Sequence, residues 1–176
     1  MSTDTFKYVA DAGDGEFSAS ARLQGHTLFA APGYGYEANA TGVWFLAATE
    51  ASVFFDPGSG FNGVLLEGGG TVGLNGLYNY VTGRGAITAQ ENAPDDTANT
   101  FDIARAVTHF EGLGIAPGDT FRMHGFTQAN IANAFANVDR AGRTSETLTF
   151  SHPGGRSVSF GSEYGQMPTM AQFHPA

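Results

Sequence analysis

The stretch "FNGVLLEGGGTVGLNGLYNYVTGRGAIT" (Phe61–Thr88) contains the pattern that decides the fold class. Short apolar runs, such as VLL at 64–66 and YV at 80–81, alternate with one or more glycines. Continuous apolar runs of this length are typical of strands covered on both faces, and glycine is typical of the turns between strands. The stretch therefore predicts a series of short, buried β-strands.

The same alternation of short apolar runs and turn residues continues on both sides of this stretch. Apolar runs recur about every ten to twelve residues, for example in "EFSASARLQG" (Glu16–Gly25), "TGVWFLAAT" and "ASVFFDPGSG". The spacing fits either a β-sandwich with tight turns or an irregular β-roll or β-solenoid, in which each coil contributes a pair of strands. A chain of 176 residues with 25 Gly and 15 Phe is thus interpreted as one mainly β domain over residues 1–176.

Two segments in the middle of the chain interrupt the strand pattern. The polar stretch "AQENAPDDTANT" (Ala89–Thr100) predicts a long exposed loop within the domain. The segment "NTFDIARAVTHFEG" (Asn99–Gly112) fits either a strand or, through "IARAV" at 103–107, one turn of helix.

One helix is predicted in the C-terminal half. In "QANIANAFANV", Ile131, Phe135 and Val138 recur at i, i+4 and i+7, which places them on one face toward the β core. Thr127 is the predicted N-cap, so the helix is expected within Thr127–Val138. After it, "TLTFSHPGGRSVSF" at 147–160 predicts a hairpin with Leu148, Phe150, Val158 and Phe160 facing inward.

Composition narrows the function classes. The chain has 17 acidic and 8 basic residues and a net charge of −9, which disfavours nucleic acid as a partner. It has no cysteine and no apolar run approaching the ~20 residues of a membrane span. The polar start "MSTDTFKYVADAGDGEF" lacks the pattern of a signal peptide, which predicts either a cytoplasmic protein or export without N-terminal processing.

The C-terminal third carries a series of short motifs in a fixed order. They are HF at 109–110, GDT at 118–120, GF at 125–126, TLTF at 147–150 and SVSF at 157–160. This order resembles the C-terminal flank of RTX proteins, which bacteria export by type I secretion, and the resemblance covers about 60 residues. It implies a secreted, cell-surface protein with a β-roll. The calcium-binding nonapeptide repeats of that family do not occur, because "GGGTVGLNGL" lacks the ligating Asp.

Calcium is the one metal for which the sequence offers ligands. In "DAGDGE", Asp11, Asp14 and Glu16 place carboxylates at short intervals around two glycines, as a Ca²⁺ loop requires. Asp119 is a further candidate through its Pro-Gly-Asp turn. The alternative interpretation is a plain acidic β-turn.

Three function classes remain. The first is a secreted structural or adhesive protein that acts through its surface, binding a surface ligand or other copies of itself. The second is a small β-barrel enzyme of the isomerase or cyclase type, with Glu67 as a candidate base. The third is a haem- or glycan-binding module, for which the candidates are His109, His124 and the tyrosines at 34, 36, 78 and 80. A filled, stacked coil favours the first class, and a polar-lined cavity favours the other two.

Overall fold

The structure, a computed structural model, describes residues 6–9, 15–17, 25, 27–33, 35–38, 41–91, 98–140, 147–152, 155–161 and 167–176. These residues form a β-solenoid with one short α-helix. The solenoid alternative is therefore confirmed, and the sandwich and barrel alternatives are wrong.

Each coil of the solenoid contributes one strand to each of two sheets. The elements are β1 (Phe6–Val9), β2 (Gly15–Phe17), β3 (Thr27–Ala30), β4 (Gly35–Ala38), β5 (Trp44–Ala47), β6 (Ala51–Phe55), β7 (Gly63–Leu66), β8 (Gly70–Leu74), β9 (Tyr80–Gly83), β10 (Gly85–Glu91), β11 (Thr100–Ile103), β12 (Val107–Leu113), β13 (Thr120–Met123), α1 (Gln128–Arg140), β14 (Thr147–His152), β15 (Arg156–Gly161) and β16 (Phe173–Pro175).

Sheet A has the order β1-β3-β5-β7-β9-β11-β13-β16, and sheet B has the order β2-β4-β6-β8-β10-β12-β15-β14. Neighbouring strands are parallel except for the antiparallel pair β14 and β15.

The core lies between the two sheets and changes character along the solenoid axis. The strands alternate between buried and partly exposed positions, so every second side chain enters the core. Small and aliphatic residues such as Ala47 and Val64 dominate the middle coils, whereas phenylalanines fill the C-terminal end. There the rings of Phe101, Phe121 and Phe173 stack at centroid distances of 5.0 and 4.8 Å. This stack crosses β11, β13 and β16 and ties the last coils together.

The helix closes the C-terminal end of the solenoid. Thr127 Oγ1 accepts a hydrogen bond from the Asn130 amide at 3.2 Å, and this confirms the predicted N-cap. Ile131 is fully buried, and the Phe135 ring lies 5.6 Å from that of Phe173. The helix contacts β14 and β16, which are the terminal strands of the two sheets. The predicted helix is thus confirmed; the Val138 side chain lies outside the described residues.

One arginine joins the C-terminal hairpin to the last coils. The Arg156 guanidinium donates hydrogen bonds to the carbonyl oxygens of Ala104, Val107 and His124 at 2.9 to 3.0 Å. It also lies 5.3 Å from the centroid of the Phe126 ring. The hairpin itself follows the prediction, since Leu148, Phe150, Val158 and Phe160 are all buried.

The structure corrects two local predictions and describes only part of a third. The loop predicted over Ala89–Thr100 is wrong at both ends, because β10 continues to a fully buried Glu91 and Asn99 is buried before β11. Residues 92–97 lie outside the described residues. The helical turn through "IARAV" is wrong, because β11 ends at Ile103 and β12 begins at Val107 after a turn. Of the strand predicted over Glu16–Gly25, the structure describes β2 and the turn residue Gly25.

Candidate functional site

A ladder of buried side chains lies on the inner side of the turns that precede four successive strands of sheet A, β7, β9, β11 and β13. Asn62 Oδ1 accepts from the Val43 amide, and each later member accepts in the same way from the residue one coil earlier, at 2.8 to 3.1 Å. Successive members are 17, 20 and 20 residues apart. All are at most 2% exposed, so the ladder supplies acceptors to backbone amides that water does not reach. We call this set the asparagine ladder; its members are Asn62, Asn79, Asn99 and Asp119.

The last member is an aspartate, and its contacts explain why. Asp119 Oδ1 accepts from the Asn99 amide, and its Oδ2 accepts from the Ala116 amide, both at 2.8 Å. In an asparagine, an NH₂ group would replace one of these two oxygens and would face a backbone N–H, from which it cannot accept a hydrogen bond. Gln172 donates from Nε2 to the carbonyl oxygens of Ala116 and Asp119, which fixes the same turn from the C-terminal side.

A second buried carboxyl group stands next to the end of the ladder. Glu91 is 0% exposed, and its Oε1 accepts from Asn99 Nδ2 at 2.7 Å. Burial raises the pKa of Asp119 to about 6, against the opposing effect of its hydrogen bonds to two amides and to the Glu91 side chain. Two carboxyl groups form a hydrogen bond only when one carries a proton. A hydrogen bond between Glu91 and Asp119 therefore requires a proton on one of the two carboxyl groups.

The outer side of the same turn carries aromatic residues in an unfavourable backbone conformation. Gly42, Phe61 and Tyr78 occupy the same position in three successive coils and have φ of 69, 55 and 56°. This left-handed region is easy for glycine but unfavourable for bulky side chains. The Phe61 and Tyr78 rings nevertheless stack on each other at 5.1 Å, and they are 67% and 55% exposed.

Trp44 extends this aromatic surface onto the outer face of sheet A. Its indole lies over Gly63 of the next strand, where a Cβ atom would come within 2.5 Å of the ring carbons. Trp44 remains 43% exposed, and its ring centroid is 5.8 Å from that of Tyr80. We call Trp44, Phe61, Tyr78 and Tyr80 the aromatic strip.

Hydrogen-bonding groups continue the strip toward the C-terminal coils. The Tyr80 hydroxyl donates to Asp102 Oδ2 at 2.6 Å, and Asp102 Oδ1 lies 2.6 Å from His124 Nε2. Burial, followed by the hydrogen bond to Asp102 and its charge, raises the pKa of Tyr80 to about 12. Asp102 stands beside Arg122 in the sheet register, and Arg122 is exposed. The arrangement fixes a phenol, a carboxylate and an imidazole in defined positions at the protein surface.

The structure separates two of the four predicted calcium ligands. Glu16 lies on β2 and Asp119 precedes β13, so the two are near opposite ends of the solenoid. Asp119 is buried, and both of its carboxylate oxygens are engaged by amides. Asp11 and Asp14 lie outside the described residues. Among the residues that are described, no three His, Asp or Glu side chains cluster closely enough to hold a metal ion.

The other candidates from the sequence have surface or structural roles. Glu67 forms an ion pair with Arg84 at 3.1 Å and is not a buried base. His109 and His124 do not form a pair, because His109 lies on sheet B beside Ser157 and His124 follows a strand of sheet A. The hydroxyl of Tyr36 accepts from the Ala31 amide inside the fold.

Sequence reasoning missed the asparagine ladder and Glu91, although the ladder has a signal. The segments "FNGV", "YNYV", "ANTF" and "GDTF" each place Asn or Asp directly before a strand of sheet A. Their unequal spacing conceals the repeat.

Comparison with known proteins gives no relative, since no family model, no curated protein and no solved structure matches the chain. In the described part of the chain, the helices are too short or too polar to cross a membrane.

Proposed function

We propose that this protein is an extracellular β-solenoid that adheres to a surface ligand through its aromatic strip and does not act as an enzyme. The strip is the observation that carries the proposal. Four aromatic rings lie at one corner, and two of them are held exposed in a backbone conformation that disfavours bulky residues. Residues held in this backbone region cluster at active sites and ligand-binding sites.

Among the residues that the structure describes, the interior of the solenoid gives no comparable site. Its buried side chains fill the space between the sheets, and the phenylalanine rings are in mutual contact. A cavity of about 80 Å³ lies near the end of the ladder, lined by residues such as Ile115, Met167 and Gln172. Sites for cofactors and drug-sized ligands have about 300–1,000 Å³, so this cavity is too small for haem or a sugar chain. Ligand binding is therefore assigned to the outer surface.

Growth of a filament from the C-terminal end is disfavoured. The terminal strand of sheet A contains Pro175, which has no amide hydrogen to donate, and α1 contacts the terminal strands of both sheets. A covered edge does not serve as a template for a further strand. This supports adhesion through the side of the solenoid instead of end-to-end assembly at that end.

The proposal is tested by adsorption to cells. The protein is labelled through a cysteine added after Ala176, since the chain has none, and its binding to intact Gram-negative bacteria is measured by flow cytometry. A Trp44→Ala/Phe61→Gly double variant should lose most of the adsorption. The matched control is Phe54→Ala, which removes an aromatic ring that covers Gly73 on sheet B in the same manner. Equal adsorption of all three proteins would contradict the proposal.

The resemblance to RTX proteins supports release by type I secretion without N-terminal processing. An antibody against the protein should therefore detect it in the medium or on the surface of cells that express it from its own genome. Detection in the cytosol alone would remove export from the proposal.

Calcium binding at Asp11, Asp14 and Glu16 is a separate part of the proposal. A ligand that binds only the folded state raises the melting temperature, so millimolar calcium should stabilise the protein. Asp14→Asn should abolish this rise. If calcium leaves the melting temperature of the wild type unchanged, the metal part of the proposal is wrong.

A further inference from the structure

We propose that the ligand of the aromatic strip is a neutral polysaccharide that lies across the outer face of sheet A along the solenoid axis. This inference rests on the proposed function and names the chemical class of its ligand.

The Trp44 indole provides a flat surface on which a sugar ring can stack, and we call this surface the platform. One face of its ring rests on the Gly63 backbone, where a side chain would collide with it, and the residue is nonetheless 43% exposed. The face of an aromatic ring is electron-rich, and it attracts the weakly positive C–H groups that line one face of a sugar ring. Because the indole lies against Gly63 with one face, its exposed part can accept a stacked sugar ring.

The polar groups that follow Trp44 along sheet A can form hydrogen bonds with sugar hydroxyls. A hydroxyl both donates and accepts hydrogen bonds, so it needs acceptors and donors side by side. Asp102 supplies carboxylate oxygens, and its hydrogen bonds to Tyr80 and His124 hold all three side chains in place. The exposed Arg122 guanidinium, in register with Asp102, adds donors on the next strand.

The length of this surface indicates a polymer. Trp44 lies on β5 and Arg122 on β13, with β7, β9 and β11 between them. Four strand spacings of about 4.8 Å give about 19 Å, which exceeds the length of a single sugar ring. The ligand therefore makes stacking contacts at one end of the site and hydrogen bonds at the other.

Charge selects against anionic polymers. The net charge is −9, and the site itself contains the Asp102 carboxylate. Nucleic acids and acidic polysaccharides would be repelled over most of the surface, because their binding depends on clustered basic side chains.

The first experiment tests the ligand class on cells that adsorb the protein. Periodate cleaves the vicinal diols of glycans, whereas a protease removes exposed surface proteins. Periodate treatment of the cells should reduce adsorption at least about tenfold, and protease treatment should leave it unchanged. Loss of adsorption after protease alone would overturn the glycan assignment but leave the proposed adhesion intact. Absence of adsorption to any cells would contradict both proposals.

The second experiment measures binding directly. Affinity electrophoresis is run in gels containing dextran, soluble starch, galactomannan or hydroxyethyl cellulose, with alginate and polygalacturonate as anionic controls. At least one neutral polymer should retard the protein. Trp44→Ala should weaken this retardation at least about tenfold, since a buried stacking contact is typically worth that much.

Two further variants locate the site. Tyr80→Phe keeps the ring but loses the hydrogen bond to Asp102, so it should weaken binding only a few-fold. Phe54→Ala on sheet B should bind as the wild type does. Trp44 is the only tryptophan in the chain, so a change in tryptophan emission on titration with the polymer reports on the platform itself. Retardation by anionic polymers only, by none of the polymers, or equally in the Trp44→Ala variant would overturn the inference.

Discussion

The inner and outer sides of one turn of the solenoid use adjacent residues for different purposes. Asn62 and Asn79 point inward, where each accepts a hydrogen bond from a buried backbone amide. Phe61 and Tyr78, the residues directly before them, expose their rings to solvent. The inner side satisfies backbone groups that would otherwise lose their hydrogen bonds on burial, and the outer side presents apolar surface that folding does not need. The difference implies that stability and binding can be altered separately at this turn.

A substitution on the inner side of the turn should have the largest effect on stability. In Asn99→Ala, the Asn79 amide loses its acceptor and the Glu91 carboxyl group loses its partner Nδ2, and both groups are buried. Each unsatisfied buried group costs about 1–3 kcal/mol. We expect the free energy of unfolding, measured by urea denaturation, to fall by about 2–4 kcal/mol.

The matched control for this substitution is Asn133→Ala on the exposed side of α1. It removes an asparagine that belongs to no ladder and introduces a better helix former, so stability should stay the same or rise slightly. A loss below about 1 kcal/mol in Asn99→Ala would show that water or a backbone shift replaces the ladder.

Much of the fold could be predicted from the sequence, because its signals are local. The stripe of Ile131 and Phe135 identified the helix, and the alternation of Leu148 and Phe150 identified the hairpin. Whether strands pair in parallel within a solenoid or antiparallel within a sandwich depends on contacts between residues that are far apart in sequence. The pairing of β12 with β15, for example, joins His109 to Ser157 across 48 residues.

The candidate site was less predictable for a related reason. Asparagine before a strand is typical of any turn, so Asn62 and Asn79 carried no distinctive signal on their own. The role of Gly63 depends on Trp44 of the preceding coil, and the burial of Glu91 depends on Asn99. Sequence spacing does not reveal such pairs when coil length varies from 17 to 20 residues.

The buried Asp119 carboxyl group at the end of the ladder should make stability depend on pH. The folded state raises the pKa of Asp119 from an ordinary value of 3.8 to about 6, so it holds a proton that the unfolded chain releases at lower pH. The resulting stabilisation is fully present below about pH 3.8 and is lost as the pH rises through about 6. Its size is on the order of 2–3 kcal/mol.

Glu91→Gln tests how far the neighbouring carboxyl group contributes to this pH dependence. A glutamine keeps an oxygen to accept from Asn99 Nδ2 but does not titrate. Urea denaturation between pH 4 and 8 should show a smaller pH dependence for the variant than for the wild type. Parallel pH curves for the two proteins would show that Glu91 does not contribute to the pH dependence.

On the outer face, Gly63→Ala should disturb the platform with little effect on stability. The added Cβ would come within 2.5 Å of the Trp44 ring, which must then move away from the strand. Trp44 is partly exposed and can move into solvent, so the free energy of unfolding should change by less than about 1 kcal/mol. The tryptophan emission should shift to longer wavelength, and adsorption to cells should fall.

Gly35→Ala is the control for this variant. It also lies in a strand, on β4 of sheet B, but its added Cβ would meet no atom within 4 Å. Emission and adsorption should match those of the wild type. If Gly63→Ala also leaves the emission unchanged, the indole does not rest on Gly63 in solution.

The smallest expected effect on stability comes from Phe61→Gly. This variant distinguishes most directly between the role of the inner side in stability and the role of the outer side in binding. Phe61 adopts a φ of 55°, which costs an ordinary residue about 1–2 kcal/mol. Glycine removes this strain, as Gly42 does at the same position of the preceding coil, but it loses the stacking contact with Tyr78 and gains entropy in the unfolded chain. These effects oppose each other, so the unfolding free energy should change by less than about 1 kcal/mol while adsorption declines. The reverse substitution, Gly42→Ala, should cost about 1 kcal/mol without affecting adsorption. A large loss of stability in Phe61→Gly would mean that the exposed ring is part of the folding core, and the separation between the inner and outer sides would then be wrong.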